Sequence, residues 1–310
     1  MSANTSARYC VIGGSGAIGS ALMKSLSAQR IEAIASTRRQ PVDRQNEFYL
    51  DLGADLPELS FSARDVVVLT ASMTRLAECR LEPELARRVN VDAQVLIAEQ
   101  AVKKGAFVVF LSTNQVFDGT KSGVGPDEPR SPRSVYGKLK AEAESALSRL
   151  GDSVAIVRLS KVVGPHLDLF QRWRRELSRG ETIEAFDDLL LAPIAMAKVV
   201  AGVELIGLRR LGGVWHLGGS DEISYLQAGR HLACLLGADA RLVVSASAAK
   251  AGIPVEERPP RVSMAPGNLE TAIGVRIGDA LEELDIGLGF ADWTRTDICS
   301  RSGEIIPQAM

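Results

Sequence analysis

Cysteine is scarce in this chain of 310 residues, and the four present, Cys10, Cys79, Cys234 and Cys299, lie far apart with no CxxC pair among them. With only three histidines to join them, no metal site is expected, and the thiols read as reduced cysteines rather than a disulfide framework. An excess of charge is missing as well: the formal net charge is -2, so nothing points to nucleic acid or another polyanion as a partner. No apolar run approaches the length of a membrane span, and the opening MSANTSARYCVIGG lacks the charged-then-apolar order of an export signal. These absences together predict a cytoplasmic protein with no membrane anchor and no nucleic-acid partner. What is there is 46% hydrophobic and 24% charged, enough apolar sequence to bury a sizeable core in one large or two modest domains.

Short apolar runs alternate with amphipathic ones, the pattern of successive βα units around a parallel sheet. Strands are expected over 8–13, 32–36, 66–70, 107–112, 154–159 and 214–217, and helices over 20–29, 84–103 and 135–149. Right-handed crossovers between such strands give a doubly wound sheet with ligands at the carboxyl ends of the strands. The alternation weakens after Gly164, where 165–191 reads as helical and charged, and again after Gly219. Between these stretches, 197–208 as a helix and GGVWHLGG as a strand return to the first pattern. The expected organisation is α/β: residues 1–165 and 193–218 form the parallel-sheet domain, and 166–192 with 219–310 form a smaller, discontinuous C-terminal α/β domain. The stretch 125–132, rich in proline, reads as a loop.

YCVIGGSGAIGSALMKSL sets Gly13, Gly14, Gly16 and Gly19 between a β pattern and a helix whose Ile18, Leu22 and Leu26 recur at helical spacing. Glycines at that junction permit a tight turn and let backbone N–H groups approach a pyrophosphate, with the helix dipole favouring the anion. The turn from Gly13 through Ser15, Gly16, Ala17 and Ile18 to Gly19 is therefore a candidate dinucleotide cradle, and the parallel sheet is expected to be of Rossmann type. A glycine-rich turn used only for close packing is the plainer alternative. At the end of the second strand an NAD site usually has an acidic residue, but this chain has Ser36-Thr37-Arg38-Arg39 and no carboxylate until Asp43. Arginine and hydroxyls suit a 2′-phosphate, so NADP, as NADPH rather than NADH, is the expected cofactor, with Arg38 as its clamp.

Tyr136 and Lys140, in YGKLK, stand four residues apart at a helix start and so share one face. An ammonium beside a phenol favours phenolate, so Lys140 is expected to draw the Tyr136 pKa down toward the working range. LSTNQVFDG ends a central strand at Thr113, which puts that hydroxyl at the same end of the sheet as the pair and the glycine turn.

The set GGSGAIG, LSTNQVFDG, Glu128, Pro132 and YGKLK resembles the extended short-chain dehydrogenase/reductase superfamily, and within it the dTDP-4-dehydrorhamnose reductase-like branch of sugar-nucleotide reductases. The resemblance extends through Asp51-Leu52, ASMTRLAEC with Asn90 beyond it, VRLSKVVGP, GGVWHLGGSDEISYLQAGRHLACLLGAD and the Arg258-Pro259 turn. It implies that Thr113 bonds the reacting carbonyl oxygen, that Tyr136 is the general acid, and that Lys140 bonds the nicotinamide ribose. It further implies that Gly13, Gly16 and Gly19 form the pyrophosphate loop, that Asp51 and Leu52 meet the adenine edge, and that Ala71 runs beside the cofactor. The reaction implied is reduction of a 4-keto-6-deoxy sugar carried on a nucleoside diphosphate, a small-molecule partner, and a homodimer is compatible with it.

Dehydratases of the same superfamily carry Asp-Glu directly after the threonine, whereas Asn114 and Gln115 cannot exchange protons at neutral pH. An epimerase of the superfamily stays open, as does a non-catalytic NADP-binding regulatory subunit of the kind that accompanies methionine adenosyltransferase. Candidate substrate contacts are Asn114, Gln115, Lys161, Arg172 and Arg258. Lys161 stands where relatives have Asn or Trp, and Lys198 where relatives commonly have an acidic residue, which leaves the substrate open. Arg172, Arg174 and Arg175 around Trp173 could make a diphosphate pocket, although a charge run on a helix is usually a solvated face. His216 reads as structural, and Asn90 as a packing or hydrogen-bonding residue near the site.

Overall fold

The computed structural model describes residues 7–39, 45–165 and 167–293; Asp43, Cys299 and the C-terminal stretch of the expected second domain lie outside the described residues. In chain order the elements begin with β1 (Arg8–Ile12), α1 (Ala17–Ala28), β2 (Ala33–Thr37), β3 (Glu47–Tyr49), β4 (Asp65–Leu69), α2 (Leu76–Leu81) and α3 (Pro83–Arg87). Next come α4 (Ala93–Lys103), β5 (Phe107–Thr113), α5 (Val135–Leu147), β6 (Val154–Leu159), β7 (Lys161–Val163), α6 (Asp168–Ser178), β8 (Ile183–Phe186), β9 (Leu190–Leu191) and β10 (Pro193–Ala195). The last are α7 (Met196–Arg209), β11 (Gly213–Leu217), β12 (Ile223–Ser224), α8 (Tyr225–Leu235), β13 (Val243–Ala246), α9 (Leu269–Ile273) and α10 (Ala280–Leu288).

Two compact units divide the chain. The first comprises Met1–Phe117, Pro129–Arg158 and Val203–Trp215. Its centre is a seven-stranded parallel sheet of order β11-β6-β5-β4-β1-β2-β3, the Rossmann arrangement. DVVVL in β4 and FVVFLST in β5 are buried at every position, as central strands covered on both faces must be, which explains their unbroken apolar runs. One core cluster joins Ile12, Val67 and Phe110 from the strands to Ile97, Leu139 and Leu147 from the helices. β3 was not expected: its three residues are too short a run to announce a strand, and it is held by register with β2, Ser36 against Phe48.

The single helix expected over 84–103 is three pieces, α3, a π turn over Arg88–Asp92, and α4. The extra residue in the turn carries Asn90 inward. Its buried amide accepts from Ser72 Oγ and Met73 N, both at 2.8 Å, and donates to the Met73 carbonyl at 2.9 Å. The distortion of the helix is thus offset by a set of satisfied polar groups behind β4, the sort of place where π turns collect.

The second unit comprises Asp118–Glu128, Leu159–Gly202 and His216–Met310. Here the expectation of a continuous helical stretch over 165–191 is corrected. α6 stops at Ser178, Gly180 takes φ +72°, and the chain turns into β8, parallel to β13. IEAF alternates buried and exposed positions as a strand does, a period of two hidden in the sequence by the flanking charges. β7 pairs with β10, β9 with β12, and Phe170, Trp173, Ile183, Leu232 and Leu284 share a core.

Candidate active site

The glycine turn is shaped by contacts that exclude side chains. Gly13 has φ +99°, and a Cβ on it would meet the backbone of Ala71 at 2.7 Å; one on Gly14 would run into Ala35, and one on Gly19 into the Gly13 carbonyl. Gly13 N donates to Ser36 Oγ at 2.8 Å and Gly14 N to the Ser36 carbonyl at 3.0 Å, which ties the turn to the end of β2. Gly16 is the N-cap of α1, no side chain caps that helix, and no acidic residue stands in its first turn. Ser15, Gly16 and Ala17 are exposed. The N-terminal donors of a twelve-residue helix therefore face an open turn with no acidic side chain in the helix's own first turn to compete, a fit to a pyrophosphate.

Around this cradle, Ala71 N donates to the Ile12 carbonyl at 2.8 Å, and the Ala71 carbonyl accepts from Gln94 Nε2 at 2.8 Å. Asp51 accepts from Gly53 N at 2.9 Å, beside buried Leu52. At the end of β2 the hydroxyls expected for a 2′-phosphate are engaged in the turn itself: Ser36 accepts from Gly13 N, and Thr37 Oγ1 from Arg39 N at 3.1 Å. Arg38 and Arg39 are exposed.

Thr113 closes β5, and its Oγ1 accepts from Gln115 N at 3.2 Å and lies 3.3 Å from Asn114 Oδ1. The next turn, Asn114–Val116, leads to α5 through one hydrogen bond: Ser134 Oγ donates to Gln115 Oε1 at 2.8 Å while accepting from Gly137 N at 3.0 Å as the N-cap. Gln115 is thus a strut between the strand that ends in Thr113 and the helix that opens with Tyr136. Gly137 has no room for a Cβ because the Gln115 carbonyl occupies that space.

Tyr136 and Lys140 are both buried on one face of α5, with Lys140 Nζ 6.0 Å from the centre of the Tyr136 ring and 4.5 Å from that of Phe110. Lys140 Nζ donates to the Leu111 carbonyl at 2.8 Å. Burial dominates the electrostatics. It pushes the Tyr136 phenol up, with Cys79 adding to the effect and a hydrogen bond with Ser72 opposing it. The same burial pulls the Lys140 ammonium down to about 7, against the attraction of Glu144 and Cys79. The expected downward pull of Lys140 on the phenol is therefore outweighed by desolvation.

Glu144 was missed by sequence reading. It is fully buried four residues beyond Lys140, so the i, i+4, i+8 series Tyr136, Lys140, Glu144 was the available signal. Cys79 and Ser72 were missed too, and nothing in their spacing announced them.

The remaining candidates belong to the second unit. Lys161 is exposed at the start of β7. Arg172 points along the outer face of α6 toward Glu176 at 3.8 Å, whereas Arg174 donates to the Leu288 carbonyl at 2.6 Å and lies over Phe290. Trp173 between them is buried in the core, so the three arginines do not converge around it. Arg258 donates to the Ile253 carbonyl at 2.9 Å. Lys198 is buried and paired with Glu283 at 2.5 Å, a structural engagement, and buried His216 bonds the Ala265 carbonyl at 3.0 Å.

Comparison with known proteins matches this geometry to a family. The chain is 32% identical over 173 residues to a dTDP-4-dehydrorhamnose reductase of Sinorhizobium fredii, covering 53% of this chain and 58% of that protein. It is 28% identical to the methionine adenosyltransferase 2 subunit beta of Bos taurus, over 51% of this chain and 47% of that one. Among solved structures, a dTDP-4-dehydrorhamnose reductase from Bacillus anthracis in complex with NADP superposes with a TM-score of 0.78 at 18% identity, over 92% of this chain and all of that one. MoeE5 in complex with UDP-glucose and NAD superposes at 0.74 with 23% identity, over 91% and 98%. Because the RmlD substrate binding domain model matches residues 7–285, nearly the whole of the described chain, the protein belongs to that family.

Proposed function

We propose that this protein is an NADP-dependent reductase of a 4-keto-6-deoxy sugar carried on a nucleoside diphosphate. The observation that carries the reading is that Thr113, Tyr136 and Lys140 lie on one strand end and the helix strutted to it, in the same unit as the glycine cradle. A bound nicotinamide dinucleotide would supply a hydride to the carbonyl carbon. Tyr136 holds the proton that the developing alkoxide needs, and burial, by raising its pKa, keeps that proton in place at neutral pH. Thr113 Oγ1 accepts from Gln115 N and would turn its proton from Asn114 Oδ1 to the carbonyl oxygen. Lys140, fixed by the Leu111 carbonyl, presents its remaining donors to the cofactor ribose.

The backbone N–H groups at 15–19 would cradle the pyrophosphate, Asp51 and Leu52 would border the adenine, and Ala71 would run beside the cofactor. Arg38, exposed at the end of β2, is the proposed 2′-phosphate clamp, consistent with the relative solved with NADP; the relative solved with NAD marks the alternative. The unit of Met1–Phe117, Pro129–Arg158 and Val203–Trp215 would hold the cofactor and the other unit the sugar nucleotide, with Lys161, Arg172 and Arg258 as its candidate contacts. Amides at Asn114 and Gln115 argue against dehydration, the more so because Gln115 already serves α5.

The test is NADPH oxidation with a panel of dTDP-, UDP-, GDP- and CDP-linked 4-keto-6-deoxy sugars. Turnover with one of them is the expected result. NADPH binding without turnover on any would instead favour the regulatory-subunit reading, for which the similarity to a methionine adenosyltransferase beta subunit is the specific support.

A further inference from the structure

A buried carboxylate sits beneath the candidate catalytic pair, and the mechanism above does not use it. Glu144, in α5, is fully buried and accepts from two strands and a loop at once. Ser112 Oγ, next to Thr113 on β5, donates at 2.5 Å. Arg158, on β6, donates through Nη2 at 2.8 Å and Nε at 3.1 Å, its guanidinium stacked 5.0 Å from the centre of the Phe117 ring. Arg130, ahead of α5, donates at 3.2 Å.

We propose that Glu144 is a positioning residue: it locks the helix bearing Tyr136 and Lys140 to the strand bearing Thr113, and sets a fixed negative charge one helical turn from the Lys140 ammonium. A buried carboxylate is costly unless every lone pair is used, and here guanidinium and hydroxyl donors converge on it. That cost has a use on this helix, because desolvation alone would strip Lys140 of its proton, and Glu144 is the leading attraction opposing it. The other groups facing Lys140 are few. Tyr136 lies on its own helix, Cys79 faces it from α2, and β5 offers only the Leu111 carbonyl and the Phe110 ring. Arg87 of α3 turns to Glu142 instead, and Arg130 and Arg158 reach this region through Glu144.

The experiment is a titration of the full-length protein with its lysines labelled at Cε with carbon-13, the Lys140 signal being assigned by its loss in Lys140→Met. In Glu144→Gln the midpoint of that signal is expected to fall by about one pH unit. NADPH affinity, read by fluorescence, should then weaken by up to about tenfold at pH 8 and hardly change at pH 5.5, where the lysine is charged in both proteins. A merely structural role would lower the melting temperature and leave the midpoint where it was, and an unmoved midpoint in folded protein overturns the proposal. Should Glu144→Gln fail to fold, Glu144→Gln/Arg158→Gln removes the charges as a pair, and the same fall or its absence decides. The cofactor half rests on the proposed function: a midpoint that falls while NADPH affinity does not follow sinks the ribose role of Lys140 and leaves that of Glu144 standing.

Discussion

At the residue scale, the site is organised by desolvation more than by the Tyr–Lys attraction that the sequence suggests. A phenol raised by burial is a proton reservoir, so Tyr136→Phe should reduce turnover by about 10²–10⁴-fold while leaving NADPH affinity nearly unchanged. Unaltered turnover would remove Tyr136 from its role. Arg38→Ala should weaken NADPH more than NADH; equal losses, measured by isothermal titration, would undo the assignment of the 2′-phosphate clamp. Lys140 carries a stability consequence whose sign is opposite to that of an ordinary surface lysine. Its folded pKa, about 7, lies below its ordinary 10.5, so the folded state is penalised most below pH 7, where the lysine is charged in both states. The penalty shrinks by about 1.4 kcal/mol per pH unit as pH rises from about 7 toward 10.5, where the unfolded chain holds the extra proton. Lys140→Met should therefore be more stable than the parent at pH 6, by a margin that narrows by pH 9 in urea denaturation. A margin that widens with pH would show that the lysine is not desolvated.

Elements bring these residues together, and the critical joint is the start of α5. Ser134 caps the helix and, through Gln115, ties it to the end of β5. Ser134→Ala should cost about 1 kcal/mol of stability as a lost N-cap. It should also lower turnover by about tenfold, because Tyr136 sits in the first turn and a small displacement there misaligns it. Gln115→Ala should behave alike and Gln115→Glu, which keeps the acceptor, should recover most of the loss. If the double variant Ser134→Ala/Gln115→Ala is much worse than either single one, the two act separately and the strut is not their common role. Much of this architecture was legible in the sequence, since the runs at β1, β4 and β5 and the glycine turn are local patterns. The π turn at Arg88–Asp92 was not, because it is set by Asn90 reaching Ser72 and Met73 across the fold. Glu144 was half legible: its spacing from Lys140 is local, but Ser112, Arg130 and Arg158 meet it only after folding.

At the scale of the whole molecule, the candidate catalytic and cofactor residues belong to one unit, and the other holds a different buried ion pair. Lys198 at the start of α7 is paired with Glu283 of α10, and Glu283 also accepts from Ala195 N at 2.9 Å and Gly278 N at 2.8 Å. One carboxylate thus gathers β10, the first turn of α7 and the approach to α10, and these residues lie within the second unit. Removing the lysine alone would leave that carboxylate buried without its counter-charge, a loss of about 3–5 kcal/mol. Lys198→Met/Glu283→Leu, which replaces both charges by apolar groups, should recover part of the loss, less the two backbone bonds that Glu283 accepts. Because no residue proposed to hold the cofactor lies in this unit, Lys198→Ala should lower the thermal midpoint yet keep NADPH affinity within about threefold of the parent at a temperature where it is folded. Calorimetry with and without saturating NADPH separates the possibilities: an unchanged midpoint would mean that the pair contributes nothing, and lost NADPH binding in the folded variant would mean that the cofactor site is not confined to the first unit.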